Sequence, residues 1–171
     1  INYPFDSMLA AVRLESKRAR AVVIAEDLGT APEGFSDAIM ASDLLSYRIL
    51  NFEREADGAF KPPSSYPRKA LAAVATHDLP TFAGWWSGAG GGGREGLNLC
   101  APDQAGRERE TRGADLSQFA AALGREGVEV GMDGGPAVAA ASRYGARSPA
   151  MLVALQLEDV LADTRQANRQ G

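Results

Sequence analysis

The sequence contains one cysteine and one histidine, and each scarcity excludes a kind of chemistry. Because Cys100 has no partner cysteine in the sequence, no internal disulfide can form. This fits a reducing compartment, and we expect a cytoplasmic protein. Since His77 is the one histidine, a zinc site of cysteine and histidine ligands is excluded.

Long apolar runs and basic clusters are also scarce. No stretch approaches the ~18 consecutive apolar residues that a membrane-spanning helix needs, and residues 1–20 lack the layout of a secretion signal. The 22 acidic residues outnumber the 18 basic ones, which gives a formal net charge of −4. The basic patch at Lys17, Arg18 and Arg20 is smaller than the footprint of a nucleic-acid-binding surface. The sequence therefore favours neither a membrane nor a nucleic acid as a partner.

The remaining composition is typical of a folded domain. Of the 171 residues, 45% are apolar and 23% are charged, which is close to the average of globular proteins. The length fits a single domain over 1–171. Because Ile1 is not an ordinary translation start, we expect this sequence to be a piece of a longer chain.

Four short apolar runs alternate with helical or turn-rich segments. Helical spacing of apolar residues predicts helices over 6–20 and 34–44, and a further helix beginning near Pro80. Short apolar runs separated by crossover segments predict βα units and a parallel sheet or barrel, an α/β fold. The predicted strands are 21–25 (AVVIA), 44–50 (LLSYRIL), 70–75 (ALAAVA) and 151–157 (MLVALQL).

The middle of the sequence has a different character. Residues 88–94 (GAGGGGR) are rich in glycine, and residues 103–112 are strongly charged. We expect an insertion over about 87–135 that consists of a glycine-rich loop and surface helices, with helical segments at 117–123 and 135–142. Nothing in this region indicates a second domain.

Acidic residues follow three of the four apolar runs: Glu26 and Asp27, Asp78, and Glu158 and Asp159. In parallel α/β folds, ligands bind at the carboxyl ends of the strands. Because Glu26 directly follows five apolar residues, we expect it to be partly desolvated, which would raise its pKa and suit a general acid. Asp78 could remain ionised. Two carboxylates from different strands are what glycosidic bond chemistry uses.

Each of these acids also has a structural alternative. Glu26 or Asp78 could be a helix cap or a loop carboxylate, and Asp27 is better suited than Glu26 to bond the turn amides of 28–30. We take Glu158 and Asp159 to be structural, as helix-capping acids.

Three other features flank the strand ends. His77 lies between Thr76 and Asp78, where a neutral imidazole can bond sugar hydroxyls, although a lone histidine is more often structural. Arg48 lies within a predicted strand and needs a carboxylate partner if it is buried. The adjacent Trp85 and Trp86 cannot both face one ligand, and such a pair is more often part of a core.

The strand ends carry a specific resemblance. The segments YPFDSMLAAVRLESKRARAVVIAEDLGTAPEGF, LLSYRILNFER and LAAVATHDLPTFAGWW resemble the 4-α-glucanotransferases called amylomaltases or disproportionating enzymes, of glycoside hydrolase family 77. The similarity continues in MLVALQLEDVLADTRQAN and covers nearly the whole sequence in order. The AEDLGT and THDLPT motifs are its most specific part.

The resemblance implies a retaining glucanotransferase on a (β/α)8 barrel. It assigns the acid/base catalyst to Glu26, the transition-state-stabilising aspartate to Asp78 and sugar-hydroxyl binding to His77. A covalent glucosyl-enzyme would form, and the 4-hydroxyl of another glucan would resolve it. The implied substrates are maltooligosaccharides or other α-1,4-glucans, with no cofactor and no catalytic metal.

This sequence departs from the family pattern in several places. The family's nucleophilic aspartate, in an R-I-D-H-F-like motif on a preceding strand, is not among the 11 aspartates here. Ala25 replaces the usual glycine before the acid, and Arg169 and Gln170 stand where a proline is usual.

We therefore expect about four βα units, an incomplete C-terminal part of the barrel, with the missing N-terminal half in the same full-length chain. Such a piece should expose two strand edges and a bare inner face, and should not transfer glucan alone.

Two alternatives remain open. The chain could be a non-catalytic glucan-binding fragment or relic that keeps Glu26 and Asp78 without a nucleophile. It could also belong to a general α-amylase-like hydrolase, which would pass the glucosyl unit to water instead of a sugar.

Overall fold

A computed structural model describes residues 3–29, 31–89, 102–128 and 134–166. Within these residues, four strands form one sheet in the order β1-β2-β3-β4, and each neighbouring pair is parallel. This confirms the predicted α/β fold with a parallel sheet. The strands are Ile24–Ala25 (β1), Leu45–Ile49 (β2), Ala70–Ala73 (β3) and Leu152–Ala154 (β4).

Helices lie before β1, between β1 and β2, between β3 and β4, and after β4, whereas the segment between β2 and β3, which is described throughout, contains two short 3₁₀ turns and no α-helix. The predicted helices at 6–20, at 34–44 and beyond Pro80 are confirmed with small shifts of their ends. No helix in the described ranges is both long enough and apolar enough to cross a membrane. The helices are Phe5–Ala19 (α1), Phe35–Ala41 (α2), Phe82–Ser87 (α3), Pro102–Arg125 (α4), Gly134–Ala146 (α5) and Leu157–Val160 (α6), with 3₁₀ turns at Leu50–Phe52 and Pro63–Ser65.

The two outer strands are shorter than their apolar runs. Strand β1 keeps two residues of the predicted 21–25, and β4 keeps three of 151–157. In the described residues each of them pairs on one side, so fewer hydrogen bonds hold it extended. The end of the last run forms α6 instead of continuing the strand.

The register divides the sheet into a covered face and an open face. Ser46 pairs with Ala70, and both are fully buried beneath the helices that pack on β2 and β3. On the opposite face, Leu71 pairs with Tyr47 and with Leu152, and Leu152 is 41% exposed. Because successive strand residues point to opposite faces, the open face carries alternate residues of all four strands. Leu45 and Ile49 of β2 are buried on this face, so its exposure is concentrated at the outer strands.

The main apolar core lies between α3, α4 and α5. Phe119 of α4 is fully buried, with its ring centroid 4.9 Å from that of Phe60 and 5.7 Å from that of Tyr144. The charged segment 103–112 belongs to α4, whose apolar side carries Phe119 into this core. Trp85 and Trp86 pack against the same core, which favours the structural interpretation of that pair. The glycine-rich run from residue 90 onwards, Cys100 and residues 167–171 lie outside the described residues.

Apolar surface remains uncovered around both outer strands. Helix α1 buries none of its residues, and Met8 on it is 53% exposed. Exposed apolar side chains flank β1 and β4, as expected for a sheet with two unpaired edges and a bare face. They include Val22, Ile24, Leu152, Val153, Leu155 and Leu157.

Gly84 in α3 marks a close approach of the last described segment. A Cβ atom at Gly84 would lie 2.6 Å from the main-chain oxygen of Thr164 and 3.0 Å from the hydroxyl oxygen of Thr81. The first atom belongs to the backbone, so the clash cannot be relieved by a side-chain rotation.

We predict that Gly84→Ala destabilises the protein by about 1–3 kcal/mol, because overpacking must move backbone. Thermal unfolding of the complete polypeptide measures this. Gly124→Ala in α4 is the matched control, since a Cβ atom there meets nothing within 4 Å, and it should melt at or above the wild-type temperature. If the Gly84 variant and the wild type had the same melting temperature, the close packing of Gly84 against Thr164 would be contradicted.

Candidate functional site

The acidic residues singled out in the sequence lie at one edge of the sheet. Glu26 directly follows β1, and Asp78 lies in the turn that follows β3. Because the strands are parallel, both positions are at the carboxyl edge, where parallel α/β folds bind ligands. Strand β2 lies between them, so roughly 10 Å separates the two strands that carry the acids.

Glu26 is exposed, so the expected partial desolvation is wrong for this structure. The apolar run before it does not bury it, because β1 is an outer strand and its open face is uncovered. The pairing of Ala25 with Ser46 places Glu26 beside Tyr47 of β2. Burial, and then the nearby negative charge of Glu26, raise the pKa of the Tyr47 phenol. Sequence reasoning did not identify Tyr47, since only the register reveals it as a neighbour of the acid.

His77 and Asp78 lie together in the turn after β3. The Nε2 atom of His77 is 3.4 Å from Oδ2 of Asp78, and both side chains are more than half exposed. The main-chain oxygen of Asp78 accepts a hydrogen bond of 3.1 Å from the side-chain amide of Gln166. The structure thus brings His77 and Asp78 into direct contact and leaves them open to a large ligand.

Helix α3 holds the end of this turn. The hydroxyl of Thr81 accepts the N–H of Gly84 at 3.0 Å, and Oδ1 of Asp159 accepts the N–H of Phe82 at 2.6 Å. Asp159 is 3% exposed, and burial raises its pKa although the N–H groups of Phe82 and Ala83, which bond its Oδ1 atom, act in the opposite direction. The prediction that Asp159 is a structural capping acid is confirmed, although it caps α3 and not the short helix that contains it. The structural role expected for Glu158 stays a prediction.

Asp27 and Arg48 join β1 to β2 just beyond Glu26. Oδ1 of Asp27 accepts the main-chain N–H of Tyr47 at 2.9 Å, and Oδ2 lies 3.2 Å from Nη2 of Arg48. This confirms a structural role for Asp27 and the expected carboxylate partner of Arg48. The partners of Asp27 are on β2, whereas the sequence indicated that Asp27 would bond the turn amides of 28–30. Thr30 of that turn lies outside the described residues.

Two further charged residues extend this contact. Glu53 places Oε1 3.6 Å from Nη1 of Arg48 and Oε2 3.2 Å from Nζ of Lys61. Glu53 is 8% exposed, which is unusual for a carboxylate and requires such partners. Sequence reasoning missed Glu53 and Lys61, because the loop that brings them to Arg48 has no signature in the pattern.

Other candidate binding features lie elsewhere. No group of three or more histidine, cysteine, aspartate or glutamate residues is arranged to hold a metal ion within the part of the chain that the structure describes. A cavity of about 320 Å³ opens at the opposite, amino-terminal edge of the sheet. Its lining includes Leu45, Lys69 and Leu152. This cavity therefore does not form part of the acidic site.

The fold and the site together define a class of protein. A parallel α/β sheet with uncovered outer strands, and with acidic side chains at its carboxyl edge, is the arrangement of part of a barrel enzyme with its active site at that edge.

Comparisons with known proteins give the family. The family model described as Glyco_hydro_77, 4-alpha-glucanotransferase, matches residues 1–170, so the chain belongs to this family. A 4-alpha-glucanotransferase of Mycobacterium tuberculosis is 37% identical over 100% of this chain and 24% of its own length. A 4-alpha-glucanotransferase of Haemophilus influenzae is 37% identical over 50% of this chain and 12% of its own length.

A solved structure agrees with these sequence similarities. The crystal structure of amylomaltase from Corynebacterium glutamicum superposes with a TM-score of 0.76 at 27% identity, over 92% of this chain and 24% of that one. The expected fold, a C-terminal part of a (β/α)8 barrel, is confirmed. The chain thus spans about a quarter of the length of the relatives that match it over most of its residues. The individual roles expected for Glu26, Asp78 and His77 stay predictions.

The raised pKa of Asp159 gives a prediction about pH. In the folded state, the pKa of Asp159 lies above its ordinary value of 3.8. Between these two values the folded protein binds more protons than the unfolded chain, so the free energy of unfolding falls as pH rises through this range. Asp159→Asn removes this titration. The melting temperature of wild type minus that of the variant should therefore decrease from about pH 3.5 towards neutrality.

Asp163 provides a control of opposite sign. Hydrogen bonds from Arg165 lower the pKa of Asp163 to about 2, so its contribution is present above the ordinary value and is lost as pH falls. For Asp163→Asn, the same temperature difference should increase as pH rises from about 2 to 4. A difference for Asp159→Asn that is flat across the range, or increases with pH, would contradict its raised pKa.

Proposed function

We propose that this chain provides the acid/base part of the catalytic centre of a 4-α-glucanotransferase that acts on α-1,4-glucans such as maltooligosaccharides. The observation that carries the proposal is the placement of Glu26, His77 and Asp78 at the carboxyl edge of a parallel sheet in a member of this family. Their exposure supports access by a polymeric substrate.

The proposed reaction is a double displacement. The protonated Glu26 carboxyl donates its proton to the glycosidic oxygen of the donor, while a carboxylate outside this chain attacks the anomeric carbon. In the second half-reaction, the Glu26 carboxylate takes the proton from the 4-hydroxyl of an acceptor glucan, which attacks the same carbon and releases the carboxylate. The donor segment is thereby transferred with retention of configuration.

His77 and Asp78 would act on the sugar unit at the cleavage point. A negative charge at Asp78 would stabilise the oxocarbenium-like transition state, which is positively charged. The imidazole of His77 would bond hydroxyl groups of the same sugar. The 3.4 Å contact between the two side chains supports such a shared role, because one sugar ring could contact both.

We also propose that strands from the rest of the same polypeptide complete the barrel. Among the described residues, β1 and β4 each have one unpaired edge with exposed apolar side chains around it, which is a favourable surface for further strands. The open face of the sheet would then become the barrel interior. The nucleophilic aspartate would come from that part, which agrees with relatives about four times as long as this chain.

The absence of a family-type nucleophile from this chain favours one second candidate, a non-catalytic glucan-binding fragment or relic. A hydrolase of the α-amylase kind is a further outcome for the same site. Products from maltotriose separate the three. Transfer gives glucose and maltopentaose, hydrolysis gives glucose and maltose, and a relic leaves maltotriose unchanged.

In the complete polypeptide, we predict that Glu26→Gln lowers glucan transfer by about 10²–10⁴-fold, because glutamine cannot donate or accept the proton. Maltotriose disproportionation followed by chromatography measures the rate, and the melting temperature should stay unchanged. Glu15→Gln is the matched control, since Glu15 is an exposed acid on α1 paired with Arg18. Near-normal transfer by the Glu26 variant would refute the assignment.

The chain of 171 residues alone should not disproportionate maltotriose, because it contains no nucleophile of the family type. The complete polypeptide at the same molar concentration is the positive control. Transfer by the isolated chain would show that a nucleophile lies within it and would overturn the proposed division of the catalytic centre.

A further inference from the structure

Four charged side chains of alternating sign form a continuous network beside Glu26. The carboxylate of Asp27 contacts the guanidinium of Arg48 at 3.2 Å, and Arg48 contacts Glu53 at 3.6 Å. Glu53 in turn contacts the ammonium group of Lys61 at 3.2 Å. Both carboxylates are buried, and the Arg48 side chain is 18% exposed.

The network is attached to the main chain immediately after the acid. Strand β1 pairs with β2 through Ile24 and Ala25, so Glu26 lies beyond the last paired residue. Asp27 continues the attachment with its side chain, through the main-chain N–H of Tyr47 at 2.9 Å and through Arg48. Glu26 is therefore held on both sides, by the sheet before it and by Asp27 after it.

Stability alone is a weak reason for such a network. Burying a carboxylate and a guanidinium costs hydration energy that their attraction only partly offsets, and apolar side chains of similar size often serve as well. Directed ion pairs do fix geometry, because the planar guanidinium bonds its partners in set directions. The Asp27 carboxylate uses both of its oxygens in this way.

A general acid requires this kind of fixation. It must lie within hydrogen-bond distance of the leaving oxygen, and a displacement of about 1 Å can lower the rate by up to ~100-fold. Within the described residues, Glu26 directly follows an outer strand and its side chain is exposed, so this part of the chain fixes Glu26 through its main chain.

We propose that Asp27 and Arg48 are positioning residues for Glu26, and that they fix the main chain from which it reaches the glycosidic oxygen. This rests on the proposed role of Glu26 as the acid/base catalyst. Glu53 and Lys61 orient Arg48 from its other side and balance its charge.

The test compares two donors with the complete polypeptide. Cleavage of maltotriose needs a proton from Glu26, whereas α-maltosyl fluoride releases fluoride without such a proton. Asp27→Asn keeps an oxygen for the Tyr47 N–H but loses the charge that holds Arg48. It should lower kcat/KM for maltotriose by about 10- to 100-fold and should change kcat/KM for fluoride release by less than about threefold.

A merely structural role would affect both donors equally, so equal losses would overturn the proposal, as would an unchanged rate with maltotriose.

Arg48→Lys keeps the positive charge and should retain more maltotriose activity than Arg48→Gln. The double variant Asp27→Asn with Arg48→Gln should be no slower than the slower single variant, because the two residues act as one unit. Additive losses would contradict the proposal.

Two controls separate this inference from the proposed function. Glu26→Gln should show the same dependence on the donor as Asp27→Asn, and if it does not, the acid assignment itself fails. Combining Asp27→Asn with Glu26→Gln should cause no further loss with maltotriose, since positioning has no effect without the acid. Arg18→Gln, in an exposed ion pair on α1, should behave as wild type with both donors.

Discussion

Parallel pairing of strands in chain order is the constraint on which the rest of this structure depends. It brings the ends of β1 and β3 to one edge, and with them Glu26 and Asp78, which are 52 positions apart in the sequence. If β3 ran antiparallel to β1, Asp78 would lie at the opposite edge from Glu26. Both acids are exposed, and apolar side chains of the outer strands are exposed as well, so the acids lie at an accessible surface and not within a closed core.

Burial is distributed unevenly over the chain, and this decides which parts have a core of their own. The aromatic cluster around Phe119 closes the region behind β3. Helix α1 and strand β1 lack such a cluster, and their apolar side chains remain exposed. Apolar surface of this extent is usually covered in a folded protein, and here it lies on α1 and around the outer strands.

Much of the fold could be predicted from local pattern. Four short apolar runs predicted the four parallel strands, and acidic residues follow three of them. A buried arginine within LLSYRIL required a carboxylate partner. The environment of Glu26 could not be predicted, because burial depends on neighbours across the sheet and not on the five apolar residues before it. Glu53 and Lys61 escaped notice for the same reason. Their contacts with Arg48 arise from a loop whose path leaves no periodicity in the sequence.

Position and environment of the acid therefore have different origins. The position of Glu26 follows from this chain, through the pairing of Ala25 and the side-chain attachment of Asp27 to β2. Its environment is not set by the described residues, since an exposed carboxyl group is solvated until another surface excludes water. A catalytic acid needs both properties at once. A chain that fixes the first and leaves the second open can place an acid accurately and still depend on its covering surface for catalysis.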